Sequence, residues 1–173
     1  PRTLRVINTT LADNTSSGDR GGAILNFSNA AVTGILEVIN STIVNNSAPG
    51  GGGIANVSQT AGSSATTRLR NTIFSGNSTS LGASAAFGGG PSVITSLGNN
   101  LASDDGGGFL TGPGDLINTN ARLAPLGAYG GTTPTFALLP GSPAINAGSA
   151  TDAPSTDQRG IARVGAVDIG AYE

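Results

Sequence analysis

The chain has 173 residues and a formal net charge of -2, from eight arginines, no lysine and ten acidic residues. It contains no His, Cys, Met or Trp. This removes the usual ligands of zinc, haem and iron–sulfur centres and excludes catalysis by Cys–His or Ser–His–Asp arrangements. The charge balance offers no basic patch for a phosphate backbone, so we expect no nucleic-acid partner. No apolar run reaches the roughly 18 residues that would predict a membrane span.

The composition indicates one folded domain. Apolar residues make up 37% of the chain and charged residues 10%, whereas disordered chains combine low hydrophobicity with high net charge. The absence of Cys leaves the redox compartment open. A sparsely charged surface rich in Ser, Thr and Asn favours an exported protein, at the cell surface or outside the cell. The chain starts at Pro1 with neither initiator Met nor signal peptide, which predicts a mature or excised segment.

An internal repeat organises the first hundred residues. The segments Leu4–Asn8, Leu36–Asn40 and Thr67–Asn71 resemble one another and are spaced by 32 and 31 residues. In each copy an apolar residue follows three positions after the Asn, and a second Asn three positions later. These pairs are Leu11 and Asn14, Ile43 and Asn46, and Phe74 and Asn77, with a fourth copy predicted at Leu97 and Asn100. A Gly-Gly motif lies between copies, at Gly21–Asn26 and Gly52–Asn56.

Each copy alternates with the two-residue period of a strand. Short strands separated by turns rich in Gly and Asn, at this period, predict an all-β parallel β-helix, a solenoid of several coils. Residues 1–100 form the repeat coils in this interpretation, and residues 101–173 form closing coils and an irregular C-terminal cap of the same domain. Within the last part, Val167–Tyr172 alternates like a final strand. A helical stack is disfavoured by the scarcity of helix formers. An antiparallel sandwich remains the harder alternative, although it gives no reason for side chains to repeat in register.

The repeat predicts columns of like residues. Leu4 over Leu36, and Val6 over Val38 and Leu69, would be internal, as would a second column of Leu11, Ile43, Phe74 and Leu97. Stacked bends would align amides that bond from coil to coil. The two predicted asparagine ladders are Asn8, Asn40 and Asn71, and Asn14, Asn46, Asn77 and Asn100. Outside, Arg5, Glu37 and Arg68 would alternate in sign.

Four later segments resemble bacterial exported proteins whose C-terminal region is called a choice-of-anchor Q domain. They are Ser96–Leu101, Leu138–Gly148, Thr156–Gly160 and Asp168–Glu173. The preceding repeats resemble those of bacterial polymorphic outer-membrane proteins. The resemblance implies a right-handed parallel β-helix that is exported and often retained at the surface. It brings no catalytic residues with it.

Few polar clusters suggest a site. Asp13, Asp19 and Arg20 fall within one turn and are expected to be solvated. Asp104, Asp105 and Asp115, with Asn99 and Asn100, supply oxygen ligands that could hold calcium, although their spacing matches no defined loop. No other cofactor is expected. Asp157 and Arg159 predict a structural ion pair rather than a ligand site.

Seven Asn-x-Ser/Thr triplets are present, at Asn8, Asn14, Asn26, Asn40, Asn45, Asn56 and Asn77. Ladder positions would place most of these amides inside the molecule. Asn45 is expected to face outward beside an inward Asn46, which makes it the best candidate for glycosylation.

Two functions from different classes fit these observations. The first is a non-enzymatic structural or surface β-helix that self-associates end to end, because open β-helix ends expose unpaired strand edges. Alternatively, an upstream domain would cover the unpaired strand edge at the N-terminal end of the β-helix. The second function is a glycan-binding adhesin or a polysaccharide-cleaving enzyme. It is less favoured because aromatic residues are only 4% of the chain.

Overall fold

Eleven short strands lie in the residues that the computed structural model describes, which are 1–18, 20–85 and 89–173. In chain order they are β1 (Arg2–Ile7), β2 (Thr10–Ala12), β3 (Ile24–Ser28), β4 (Thr33–Ile39), β5 (Thr42–Val44), β6 (Ile54–Ser58), β7 (Ser64–Arg70), β8 (Ile73–Ser75), β9 (Leu81–Ala85), β10 (Ser92–Ser96) and β11 (Leu101–Ala102). A single 3-10 turn follows within the described residues, at Gly106–Gly108. None of the helical segments in those residues is long and apolar enough to cross a membrane.

The strands form three parallel sheets that run along a solenoid of about three turns, so the predicted fold class is confirmed. Sheet 1 has the order β1-β4-β7-β10, sheet 2 the order β11-β8-β5-β2 and sheet 3 the order β3-β6-β9. Each of the first three coils therefore contributes one strand to each sheet, and a fourth contributes β10 and β11 to sheets 1 and 2. Equivalent residues of successive coils lie about 4.8 Å apart.

The register of sheet 1 agrees with the repeat. Leu4 pairs with Leu36, and Val6 pairs with Val38, which pairs with Leu69. Leu36, Val38 and Leu69 are buried, because every second side chain of a strand points into the solenoid. The inward residues of the three sheets form one apolar core, whose largest members are Phe74, Leu36, Ile43, Ile54, Leu69 and Leu81.

Arg5, Glu37 and Arg68 align on the outer face of the same sheet. Arg5 Nε lies 3.0 Å from one oxygen of Glu37, and Arg68 Nη1 lies 3.7 Å from the other. The alternation of sign thus brings the three side chains together where the sequence predicted it.

We expect Glu37→Gln to lower the free energy of unfolding by less than about 1 kcal/mol, because both arginines are solvent-exposed, Glu37 is partly exposed and the ion pairs are screened. Urea unfolding at low and high salt measures the effect, which should shrink as salt is added. A loss above about 2 kcal/mol at either salt concentration contradicts this reading of an exposed charge row.

The C-terminal part lies along the side of the solenoid rather than over its end. Its residues 121–173, here called the belt, contain no strand among the named elements, so the predicted final strand at Val167–Tyr172 is absent from these described residues. The outward side chains Ile73 and Leu101 of sheet 2 pack with Ala121, Ala144 and Ile169 of the belt in a second apolar cluster. The belt covers sheet 2 because that face is apolar, and covering it removes this area from water.

The belt contacts all the coils. Its hydrogen-bonding partners are Asn8 and Thr10 in the first coil, Asn40 and Thr42 in the second, Asn71 in the third and Asn99 in the fourth. Closure of the C-terminal end falls to other residues, since Phe109 and Leu110 pack onto the core beyond Ile94 and Ala102.

Candidate functional site

The clearest polar ladder follows the second bend of each coil. Asn14 Nδ2 donates to Asn46 Oδ1 at 2.8 Å, and Asn46 Nδ2 donates to Asn77 Oδ1 at 3.0 Å. The backbone N–H groups of Asn14 and Asn46 donate to the same two oxygens. The ladder has a direction, since each amide donates to the amide of the following coil.

The first bend carries the second set of asparagines. Asn8, Asn40 and Asn71 have φ angles of 47°, 44° and 51°, a left-handed conformation that Asn tolerates better than most residues. Asn71 Nδ2 donates to Asn40 Oδ1 at 3.1 Å. Asn8 bonds the belt instead, because its Nδ2 donates to Thr156 O at 2.6 Å. This set of amides therefore attaches the belt as well as linking the coils.

A third pair of amides was not anticipated. Asn26 Nδ2 donates to Asn56 Oδ1 at 2.6 Å inside sheet 3, where both residues point inward. Thr67 Oγ1 also donates to Asn56 Oδ1, at 3.0 Å. The signal was present in the sequence, because both asparagines end the repeated Gly-Gly motif.

The structure does not place Asn100 and Leu97 in the predicted columns. Leu101 pairs with Ile73, which aligns Asn100 with Thr72, and Ala102 takes the place beyond Phe74. Leu97 follows Ser96, the partner of Leu69, and lines a hollow on the outer face of sheet 1. The prediction assigned this copy to the wrong bend: Leu97 and Asn100 lie at the first bend of the fourth coil, where Gly98 and Asn99 both have positive φ, whereas the predicted columns follow the second bend.

Three carboxylates accept hydrogen bonds from the solenoid near its C-terminal end. Asp115 Oδ1 accepts from Asn100 N at 2.8 Å and from Asn100 Nδ2 at 3.0 Å. Asp104 Oδ2 accepts from Ser80 N at 2.9 Å, and Asp105 Oδ1 accepts from Gly107 N at 2.9 Å. An ionised carboxylate only accepts hydrogen bonds, so Asp115 terminates the row in which Thr72 N donates to Asn100 Oδ1 and Asn100 donates to Asp115.

These contacts engage the side chains that could have held calcium. Within residues 1–18, 20–85 and 89–173, no three His, Cys, Asp or Glu residues converge to hold a metal ion. Asn99, the fourth candidate ligand, donates from Nδ2 to Ala147 O in the belt at 2.9 Å.

The N-terminal end has a different surface. Leu4, Leu25 and Phe27 of the first coil are 57%, 46% and 44% exposed. They border a hollow of about 440 Å³ that also contains Asn26 and Val32. Leu4 belongs to an inward column, so its exposure arises because the coil has no neighbour on that side among the described residues. This end is an open apolar surface.

Charged residues near this end include members of the turn cluster that the sequence predicted to be solvated. Arg2 and Asp13 are exposed, and Arg20 is half-buried beside the bridge that it makes with Gly50. Asp19 lies outside the described residues, so the predicted turn cluster of Asp13, Asp19 and Arg20 is not described as a whole.

A buried charge cluster locks the belt. Asp157 and Arg159 have side chains that are 0% and 8% exposed and lie 2.7 Å apart. Asp157 also accepts the backbone N–H groups of Arg159, Ile161 and Glu173. The Arg159 guanidinium lies 3.7 Å from the centre of the Tyr172 ring. These side chains bond one another and the belt backbone, which is the arrangement of a structural ion pair.

A second ion pair extends the cluster to the first coil. Arg163 Nη1 lies 2.6 Å from Glu173 Oε2, and Arg163 Nη2 donates to Asn8 Oδ1 at 3.1 Å. Burial raises the pKa of the nearby Asp168 carboxyl, whereas the hydrogen bond from Asn146 N lowers it. Because this folded-state pKa lies above the ordinary value, ionisation of Asp168 costs folding free energy as the pH rises through it.

The glycosylation candidates differ in exposure. Asn45 is exposed, with a φ of 56°, next to the fully buried Asn46. Asn40 and Asn56 are fully buried, and Asn14 is exposed at the open end of its ladder.

No family model matches this sequence, and neither a curated protein nor a solved structure shows significant similarity to it. The fold as a parallel β-solenoid of about three turns therefore rests on the strand pairing itself.

Proposed function

We propose that this chain is a non-enzymatic structural module, exported to the cell surface or the extracellular space, that self-associates end to end through its open first coil. One observation carries the proposal: the first coil exposes Leu4, Leu25 and Phe27 beside three strands that each have one partner among the described residues. Unpaired strand edges next to apolar side chains are templates for further strands.

The other features of the molecule support a passive, rigid role. Three rows of amides and a belt that contacts every coil tie the turns together. The charged side chains of the two buried ion pairs, Asp157 with Arg159 and Arg163 with Glu173, are bonded to each other. A scaffold needs such rigidity, whereas a catalytic carboxylate must reach its substrate.

Export is supported by the composition and by the resemblance of the closing segments to choice-of-anchor Q proteins. That resemblance implies that the solenoid is right-handed and that the protein is a bacterial surface protein. Its repeats would be like those of polymorphic outer-membrane proteins.

The proposal predicts association of the purified 173-residue chain that depends on concentration. We expect sedimentation velocity between about 1 µM and 1 mM to show mass increasing in steps of one chain, and electron microscopy of concentrated samples to show short rods. A chain that sediments as a monomer throughout this range contradicts end-to-end self-association.

The alternative function, glycan binding, has one observation in its favour. A hollow of about 200 Å³ on the outer face of sheet 1 is lined by Arg5, Arg68, Glu37, Asp152 and Leu97. Guanidinium groups bind carboxylates well, so an acidic glycan is the ligand class that this hollow would hold. Titration with uronic-acid oligosaccharides tests binding, and the release of unsaturated or reducing ends tests for polysaccharide cleavage.

A further inference from the structure

We infer that the occupant of the open first coil is the C-terminal end of a second copy of this chain. The copies would then stack head to tail, with β10 of one copy parallel to β1 of the next. This inference rests on the proposed self-association and adds its partner surface, its direction and its register.

Sheet 1 is the sheet that can continue in this way. Its two outermost strands, β1 and β10, each have one partner among the described residues. At the C-terminal end of sheet 2, Leu116 bridges to Leu101 of β11. On sheet 3 the 3-10 turn contacts β9. Gly107 lies so close to Leu81 O that there is no space for a Cβ atom at this position. Chain segments therefore cover the strand edges of sheets 2 and 3 at this end, whereas β10 of sheet 1 has no second strand partner among the described residues.

The side chains of sheet 1 suit a parallel junction. Its inward column consists of Leu4, Leu36, Thr67 and Ile94, from the first coil to the fourth. A second copy placed one coil spacing away, about 4.8 Å, would bring its β10 into register with β1, so that Ile94 aligns with the exposed Leu4. Ile94 is already buried in the core cluster that includes Leu110, so the apolar area that the junction newly covers is that of Leu4.

Charge favours the same arrangement. The first coil carries Arg2, Arg5 and Arg20 against Asp13 and Asp19, a net charge of +1 in the sequence, whereas Asp104, Asp105 and Asp115 lie in the segment that closes the other end. No basic residue occurs in the sequence between Arg70 and Arg122. Opposite charges on the facing ends favour head-to-tail encounter and disfavour contact between two like ends.

The symmetry of this contact has a consequence for assembly. The two surfaces of a head-to-tail junction are different, so each added copy presents a new free end. A heterologous contact that does not close into a ring propagates as a filament.

Two variants, each blocked at one end, test the inference. Leu4→Asp places a charge on the apolar surface of the first coil, and Asp105→Arg reverses the exposed charge at the closed end. Leu139→Asp and Asp152→Arg make the same changes at exposed belt positions and serve as matched controls. Thermal unfolding of all four variants checks that each is folded.

We expect each end variant alone to need at least a tenfold higher concentration than the wild type for association. A 1:1 mixture should form dimers that grow no further, because Leu4→Asp keeps an intact C-terminal end and Asp105→Arg an intact first coil. The control variants should associate like the wild type.

The outcomes separate this inference from the function on which it rests. If Asp105→Arg associates like the wild type while Leu4→Asp does not, the open coils meet each other, and the head-to-tail register is wrong although self-association stands. If the mixture forms no dimers, the inference also fails. A wild-type chain that stays monomeric up to about 1 mM overturns both the head-to-tail inference and the proposed self-association. The open first coil would then bind a different partner.

Discussion

Asp157→Ala is expected to lower the free energy of unfolding by about 3–5 kcal/mol, because it leaves a buried guanidinium without its partner. Arg159 is 8% exposed, and its Nε and Nη2 atoms lie 2.8 and 2.7 Å from Asp157 Oδ2. The same substitution removes the acceptor for three backbone N–H groups of the belt. Urea unfolding followed by circular dichroism measures the loss.

Two further variants make this result interpretable. Asp152→Ala, at an acidic side chain that is 56% exposed and 3.8 Å from Arg70, should change stability by less than about 1 kcal/mol. Adding Arg159→Met to Asp157→Ala should cost less than the two single substitutions together, because it removes the stranded charge. Equal losses for Asp157→Ala and Asp152→Ala would show that the pair does not hold the belt.

The coils could be predicted from the sequence because a solenoid converts a sequence period into a spatial neighbour. Leu36 lies beside Leu4, and Asn46 beside Asn14, since one turn of chain separates them. The same counting fails in the fourth coil, because the apolar-x-x-Asn pattern of Leu97 and Asn100 falls at the first bend of that coil and not at the second.

The belt could not be predicted in this way because its contacts have no period. Asn8 bonds Thr156, and Thr10 bonds Gln158, each across 148 residues. The belt side chains that make these contacts do not repeat, so the sequence predicted an irregular region but not which face it covers. The acidic residues Asp104 and Asp115 were equally ambiguous, because calcium ligands and terminators of donor rows use the same carboxylates.

The asparagine ladder predicts a second large effect on stability. Asn46 is fully buried and donates to Leu11 O and Val44 O, each at 3.0 Å, as well as to Asn77. Asn46→Ala removes a donor from both carbonyl groups, of which Val44 O still accepts from the Asp13 N–H, and leaves the Asn14 N–H without its acceptor. Each unsatisfied buried group costs about 1–3 kcal/mol, so we expect a total loss of about 2–3 kcal/mol in urea unfolding.

The position of a rung within its ladder provides the control. Asn14 is exposed at the first coil and donates to Asn46 Oδ1 and Ala12 O. Water can replace the partners of an exposed amide, so Asn14→Ala should cost no more than about 1 kcal/mol. A larger loss of unfolding free energy for Asn46→Ala than for Asn14→Ala therefore reports the burial of the inner amide, since both variants remove one asparagine. Similar losses for Asn14→Ala and Asn46→Ala would mean that the inner amides are as well solvated as the outer one, and the stacked coils could not then hold a dry row of hydrogen bonds.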